Sequence, residues 1–335
     1  MPSLLDAIDA AARSLGFSGV VRVERGGAVE VSTAYGLADR GHEIPNTVDT
    51  QFAIASGTKA LTALTVMRLV EQRTLSLGTT ARSLLGADLP LVAGDVTIEQ
   101  LLAHRSGIGD YFDEDLITDI LDYAMPVPVH ELASTEQYLA VLDGHATAFP
   151  AGSGFAYNNG GYVVLALLAE RAAGVAFPEL VESLVCRPAG MPDTTFLRSD
   201  ELPGRAALGY LTAAGLRTNV FHLPVRGSGD GGIYTTATDL HTLWSAFFGA
   251  RIVTEQTRRA MVRAHSDWPQ ESRRYGLGFH LDATGEGVFL EGSDAGVSFL
   301  SRHDPARETT YTVIANWTDG AWPMAKLLAA RFAPG

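Results

Sequence analysis

The sequence predicts an α/β fold in which one antiparallel sheet, flanked by helices, is assembled from both ends of the chain around an inserted, mainly helical segment. Three patterns carry this expectation. Two runs near the N-terminus alternate with period two about Gly26-Gly27, the middle of the chain repeats its apolar residues at helical spacing, and beyond Gly231 short alternating runs return with turn signals between them. The expected division puts 1–55 and 232–335 in the sheet part and 56–231 in the helical part, with a ligand cleft between them.

Taken in order, Leu4, Leu5, Ile8, Ala12 and Leu15 fall at helical intervals. Gly19-Val-Val-Arg-Val-Glu-Arg and Ala28-Val-Glu-Val-Ser-Thr-Ala-Tyr read as paired strands, since two glycines permit the positive φ of a tight hairpin. From Ser56 to about residue 72, Leu61, Leu64, Leu69 and Val70 predict a helix, with no Pro or Gly after Gly57. Further helical runs lie near 98–103, 135–142 and 160–173. Thr236-x-x-Asp239 can close a capping box and start a helix through Leu243, Ala246 and Phe247. Residues 275–281, 288–290, 297–302 and 309–315 read as strands, and the chain ends in a helix near 321–332.

The composition narrows the function. The chain has 335 residues, 46% hydrophobic and 19% charged, with net charge −13. That excludes a disordered, collagen-like or coiled-coil protein. It also argues against nucleic acid or an anionic membrane as partner, because both call for clustered Lys and Arg. The basic residues are lopsided, with twenty-three arginines and only two lysines, Lys59 and Lys326. A single cysteine, Cys186, cannot close an intramolecular disulfide, and it reads as a small buried side chain. The first residues lack a basic start and an unbroken apolar stretch, so no signal peptide is expected. The longest uncharged apolar run, 162–169, is far short of the ~20 residues that span a bilayer. These features together predict a soluble, cytoplasmic protein.

Several familiar motifs are missing: no Gly-x-Ser-x-Gly elbow, His-Glu-x-x-His pair or phosphate loop occurs. Gly227, Gly229 and Gly232 match Gly-x-Gly-x-x-Gly, but Pro224 and Arg226 precede them and a strand-like run follows, so they read as a glycine-rich turn. The nine histidines show no metal-ligand spacing. What remains is Ser56-Gly57-Thr58-Lys59. Residues three apart share a helix face, so a helix opening at Ser56 sets the Lys59 amine beside the serine oxygen. The free N–H groups at such a helix start suit an oxyanion, and partial burial of Lys59 would favour the neutral amine that a base requires. About a hundred residues on, Tyr157 and Asn159 flank one residue just before a helix. A phenol and an amide there suit a proton relay and a grip on a substrate carbonyl; an edge aromatic and a helix cap are the alternatives.

The order of these pieces resembles the serine β-lactamase and penicillin-binding-protein-like superfamily, in the branch with class C β-lactamases, D-aminopeptidases and related esterases. The matching segments are Phe52-Ala-Ile-Ala-Ser56-Gly-Thr-Lys59, Ile98-Glu-Gln-Leu-Leu-Ala-His104-Arg-Ser106-Gly107-Ile108, Tyr157-Asn-Asn159, Arg187-Pro-Ala-Gly-Met191-Pro-Asp-Thr194, Gly231-Gly-Ile-Tyr-Thr-Thr-Ala-Thr-Asp239-Leu, Tyr275-Gly-Leu-Gly278 and Gly292-Ser-Asp-Ala-Gly296. The resemblance implies a β-lactamase/transpeptidase-like fold with Ser56 as nucleophile and Lys59 and Tyr157 as proton-transfer partners. It further implies Asn159 as a substrate contact and the backbone N–H groups of Ser56 and Ser293 as the oxyanion hole. His104 matches a position that is usually structural. No metal or organic cofactor is implied, and the expected partner is a small-molecule substrate.

One element departs from the pattern. Where the superfamily carries Lys-Thr-Gly or His-x-Gly facing the serine, this chain has Leu290-Glu291-Gly292, which are taken as further substrate-binding positions. Glu291 beside the site would repel the carboxylate that β-lactams and D-Ala-D-Ala ends carry. The expected activity is therefore that of a serine hydrolase working through an acyl-enzyme on a small ester or amide without a carboxylate next to the scissile bond. The alternatives are a β-lactamase or D,D-peptidase, an acyltransferase in a biosynthetic pathway, and a non-catalytic binding or sensor protein. The acidic stretch from Asp110 to Asp122 reads as a solvated surface loop or as a cover for the cleft mouth.

Overall fold

The computed structural model describes residues 3–113, 117 and 119–333. Helix α1 (Leu4–Leu15) opens with a capping box between Ser3 and Asp6 and buries Leu4, Ile8 and Ala12. The hairpin then forms as β1 (Gly19–Arg25) and β2 (Ala28–Tyr35), with Gly26 and Gly27 at φ +55° and +76°. Two long helices follow within the middle segment: α2 (Thr58–Glu71), preceded by a 3-10 turn (Ala55–Gly57), and α3 (Asn159–Ala173). The stretch at 135–142 is a 3-10 turn (Thr135–Tyr138) running into a one-turn helix (Leu139–Leu142).

Helix α4 (Ala237–Phe248) is capped by Thr236, whose hydroxyl accepts from the Asp239 N–H. The reciprocal half of the expected box is replaced, because the Asp239 carboxylate accepts instead from Asp193 N–H and the Thr194 hydroxyl. Six strands and a last helix complete the chain: β3 (Ser266–Trp268), β4 (Arg273–Tyr275), β5 (His280–Asp282), β6 (Val288–Asp294), β7 (Val297–Asp304), β8 (Thr309–Ala315) and α5 (Trp322–Phe332). The run 275–281, expected as one strand, is a hairpin. Gly278 turns it at φ +87°, where a Cβ would strike Ala63 of α2.

The eight strands form one antiparallel sheet in the order β2-β1-β8-β7-β6-β5-β4-β3, so strands from the two ends of the chain, β1 and β8, lie side by side within it. Gly19 pairs with Ala315 and Arg25 with Thr309, while Ala315 also pairs with Ser298 across β7. β8 lies in the interior of the sheet and all seven of its residues are buried, which is why Thr309-Thr-Tyr-Thr-Val-Ile-Ala shows no polar face. Alternation sends Val21, Val23 and Val313 toward α1 and α5, and Val20 and Ile314 toward α2 and α4. α2 is buried on almost every side, so a lysine on it has no route to water and its amine needs partners within the protein.

Candidate active site

The start of α2 is held from two sides. Phe52 and Ala53 pair with Thr235 and Tyr234, the Ile54 N–H donates to Ile233 O at 3.1 Å, and the Ile233 N–H donates to Thr58 Oγ1 at 3.2 Å. β6 presses in from the other side at Gly292, where a Cβ would sit 3.0 Å from Ser56 N and 3.1 Å from Gly57 N and would overlap the Ile54 carbonyl oxygen. Glycine alone permits that approach. Ala55, just before the serine, takes φ +44°, a left-handed conformation that costs a non-glycine residue about 1–3 kcal/mol and that this clamp sustains. Ser56 emerges from the turn partly exposed in a cleft it shares with Tyr111, Phe112, Asn159, Asp230, Ser293 and Asp294.

Lys59 is 1% exposed, and its Nζ lies 2.8 Å from Ser56 Oγ, 2.7 Å from Asn159 Oδ1 and 2.9 Å from the Asp230 carbonyl oxygen. The last two atoms can only accept. A neutral amine has two N–H bonds for them and one lone pair, which then points at the serine hydroxyl. The same nitrogen lies 4.9 Å from the centre of the Tyr157 ring. That ring is held between His104, at 4.4 Å, and Trp268, stacked at 5.5 Å. His104 is buried, and burial, aided by the charges of Lys59 and His280, holds its imidazole well below the usual histidine range. Its Nδ1 accepts the Asn158 N–H at 3.0 Å, so its proton sits on Nε2 and it braces the segment between Tyr157 and Asn159.

Asn159 is the first residue of α3, and the cap is its neighbour Asn158, whose Oδ1 accepts the Gly161 N–H at 2.5 Å. Asn159 spends both ends of its amide within the protein, since Nδ2 donates to the Phe112 carbonyl at 2.9 Å. Behind it the half-buried Asp110 accepts from Asn159 N at 2.6 Å, Gly160 N at 2.8 Å and Phe112 N at 3.2 Å. Burial nevertheless pushes the Asp110 carboxyl up to about 7, against the pull of those N–H groups and of Lys59. Asp230 is also pushed upward by burial, and its Oδ2 accepts from the Tyr111 hydroxyl at 2.5 Å. Sequence reasoning passed over Asp230 and took Asp110 and Tyr111 only as the start of an acidic stretch, without their place beside Lys59 and Asn159. A signal for Asp230 was present in the glycine-rich turn: Gly227, Gly229 and Gly232 have no room for a Cβ, and this close packing brings the Asp230 carbonyl to Lys59. Of the acidic stretch, residues 114–116 and 118 lie outside the described residues, while Asp110 faces inward as a cap on α3.

The third element is arranged differently from its expected role. Leu290 does not line the cleft; it is 2% exposed and packs in the main core beneath β6. Glu291 is in an ion pair with Arg273, whose Nη1 is 3.0 Å from Oε1, so its charge is balanced and it is a weak source of repulsion. Carboxylates do line the cleft, but they are Asp230 and Asp294. Gly292 acts through its missing side chain, and Ser293 faces the cleft beside Ser56. Cys186 is buried and its thiol is pushed up to about 12, which keeps it protonated. Among the described residues no three His, Cys, Asp or Glu side chains are grouped to hold a metal ion, and no helix is long and apolar enough to cross a membrane.

Comparison with known proteins places the chain among relatives of the same fold. Esterase EstB of Burkholderia gladioli is 34% identical over 62% of this chain and 54% of its own length, and the D-aminopeptidase of Brucella anthropi is 28% identical over 81% and 50%. The chain spans between half and two thirds of the length of the first curated relatives it matches. The crystal structure of a penicillin binding protein from Bacillus halodurans superposes with a TM-score of 0.90 at 34% identity, covering 97% of this chain and all of the other. The profile of the Beta-lactamase family matches residues 5–333, nearly the whole chain, and the protein belongs to that family, whose members are serine hydrolases of the β-lactamase fold.

Proposed function

We propose that this protein hydrolyses small esters or amides through an acyl-enzyme on Ser56, with Lys59 and Tyr157 moving the proton. The observation that carries the proposal is the 2.8 Å contact between Lys59 Nζ and Ser56 Oγ, with the two remaining directions around the nitrogen taken by atoms that only accept. In the first step Ser56 Oγ bonds to the carbonyl carbon and its proton passes to the amine. The negative charge collects on the carbonyl oxygen, facing the N–H groups of Ser56 and Ser293. The bond to the leaving group then breaks as that group takes the proton back by way of Tyr157. Water repeats the sequence on the acyl-enzyme and frees the acid. Asn159 serves mainly to hold Lys59.

The preference for substrates without a carboxylate near the scissile bond rests on Asp230 and Asp294 in the cleft. Likeness to an esterase and to a D-aminopeptidase supports the same class. The test is a panel of short-chain p-nitrophenyl esters, aminoacyl anilides and a chromogenic cephalosporin, with and without an alcohol acceptor, alongside fluorophosphonate labelling. Ser56→Ala should lose both labelling and turnover, and full activity in that variant would sink the assignment. Faster cephalosporin than ester turnover would point to a β-lactamase instead, and ester formation with the acceptor to an acyltransferase.

A further inference from the structure

A groove lies at the far end of β6 from the catalytic cleft. Val288 opens that strand and lines the groove, whereas Ser293, five residues on, faces the cleft, a separation of about 16 Å along the strand. The groove holds about 590 Å³, within the range of small-molecule sites. It is lined by apolar Phe248, Leu281, Val288 and Pro305 and by four arginines, Arg258, Arg259, Arg263 and Arg274. Such a concentration of cations runs against a chain of net charge −13.

Ordinary structural duties account for only part of it. Arg258 and Arg259 close the short helix Glu255–Met261, where cations suit the C-terminal end, and both pair with Glu255. One carboxylate cannot balance two guanidiniums. Arg258 lies over the Phe248 ring with its Nη2 3.8 Å from Glu255, and its Nε is closed off from solvent with no hydrogen-bond partner among the described residues. A cation partly stripped of water and loosely paired gains from an anion brought beside it. Arg274, on β4, is fixed by donating to the Asp282 and Gly285 carbonyls at 2.8 and 3.2 Å, and no carboxylate pairs with it, Asp267 opposite it on β3 included. Arg263 lies past the helix end, and its side chain has neither an ion pair nor a hydrogen bond among the described residues. The neighbouring Asp282 and Asp304 are balanced by Arg302 and Arg307. Glu286 is the only carboxylate among the described lining residues, so with Glu255 counted the groove keeps an excess of two positive charges.

We propose that this groove is a second ligand site, which binds a soluble organic phosphate with its dianionic head among the guanidiniums and its apolar body against Phe248, Leu281 and Val288. Planar guanidinium forks match phosphate oxygens two at a time, and a phosphate monoester carries about two negative charges at pH 7, which is the excess the groove presents. The apolar lining favours a phosphate that carries an organic body over the inorganic ion. The negative charge of the chain as a whole opposes docking on an anionic membrane. The site uses none of the residues of the acyl-enzyme reading and stands whether or not that reading holds.

The test titrates the whole protein by calorimetry at physiological salt with phenyl phosphate, inorganic phosphate, benzoate and benzyl alcohol. Phenyl phosphate should bind once per chain with a submillimolar Kd, at least tenfold tighter than the other three, and equally well to Ser56→Ala, which separates the groove from the cleft. Arg263→Glu, at an exposed position, should weaken it at least tenfold while leaving the urea midpoint unchanged. Ala264→Trp, also exposed and in the lining, fills the groove and should weaken it at least fivefold. Absence of binding, an affinity no better than that of inorganic phosphate, or binding that both variants leave intact or that Ser56→Ala abolishes overturns the site. Retention on phosphatidic acid vesicles without binding of phenyl phosphate also overturns it and gives the arginines to a lipid surface.

Discussion

Replacing Gly292 by alanine tests the oxyanion hole without touching a side chain that does chemistry. The added Cβ would stand 3.0 Å from Ser56 N and 3.1 Å from Gly57 N and would overlap the Ile54 carbonyl oxygen. Carbon–oxygen contacts of this kind settle at about 3.3–3.6 Å, so β6 and the turn before α2 must part by on the order of 1 Å. The two proposed donors lie on opposite sides of that seam, Ser56 in the turn and Ser293 next along the strand. A misplacement of about 1 Å costs about 10² in rate, and loss of one oxyanion donor costs about 10²–10³. The expected result is a fall of about 100-fold in kcat on the preferred ester, or ~2.7 kcal/mol at the transition state, with KM changed less than threefold. Overpacking of the seam should also lower stability by about 1–3 kcal/mol, read as a lower midpoint in urea. Steady-state kinetics on protein shown to be folded decides the matter. If Gly292→Ala loses stability yet keeps kcat within threefold, the seam is a packing feature and the oxyanion lies elsewhere.

Three further substitutions probe the surrounding machinery. Lys59→Met keeps the volume of the side chain but removes the amine, so kcat should fall by at least about 10³; it also leaves Asn159 Oδ1 and the Asp230 carbonyl without their donor, at about 1–3 kcal/mol in stability each. A loss of less than tenfold would remove lysine as the base. Asp110 bears on stability and pH: its carboxyl lies at 3.8 in the unfolded chain and about 7 in the folded one, so the folded state holds the proton more tightly. Its contribution is complete below pH 3.8 and is lost as pH rises to about 7, by on the order of 1 kcal/mol per pH unit. Against Asp110→Asn in urea melts, the wild type's relative stability should therefore shrink from pH 4 to 7; a difference that is flat or grows would refute the assignment. Arg273→Met removes the cation between Glu271 and Glu291 and its contacts with Trp268 and Phe289, which should cost about 1 kcal/mol in stability. Neutral esters should then turn over within twofold of wild type while a carboxylated ester slows, because Glu291 is no longer balanced.

Much of this was legible in the sequence, and the misses share one cause. The hairpin about Gly26-Gly27 and the helix start at Ser56 follow from local periodicity and turn chemistry, which the chain writes out residue by residue. The hairpin at 275–281 was hidden because Gly278 is selected by contact with Ala63, a residue more than two hundred positions away. Leu290 and Glu291 show the same limit: their place in a motif suggested side chains facing substrate, whereas the pleat of β6 turns Leu290 into the core and Glu291 to Arg273. The supports of Lys59 are partly backbone atoms, and a carbonyl such as that of Asp230 leaves no mark on residue type beyond the glycines that bring it close.

The scarcity of lysine takes its meaning from that same nitrogen. Where surface ion pairs need a lasting cation the chain uses arginine, as in Arg302–Asp282 and Arg171–Glu136, and Lys326 is the exposed exception. At 59 an arginine fails on two counts. Its planar fork has five donors and no acceptor, whereas the nitrogen here faces two accepting oxygens and a hydroxyl whose proton the proposed mechanism takes. It also keeps its proton in any protein environment, whereas an amine among neutral oxygens, on a helix buried all round, can exchange one with Ser56. The two lysines are therefore not equivalent. Lys326 sits on the peripheral helix α5, and its exchange for arginine should leave activity unchanged; Lys59→Arg should be as inactive as Lys59→Met, since retaining positive charge does not restore a base. Appreciable turnover in Lys59→Arg would mean that the residue at 59 acts by charge alone and that the proton of Ser56 leaves by another path.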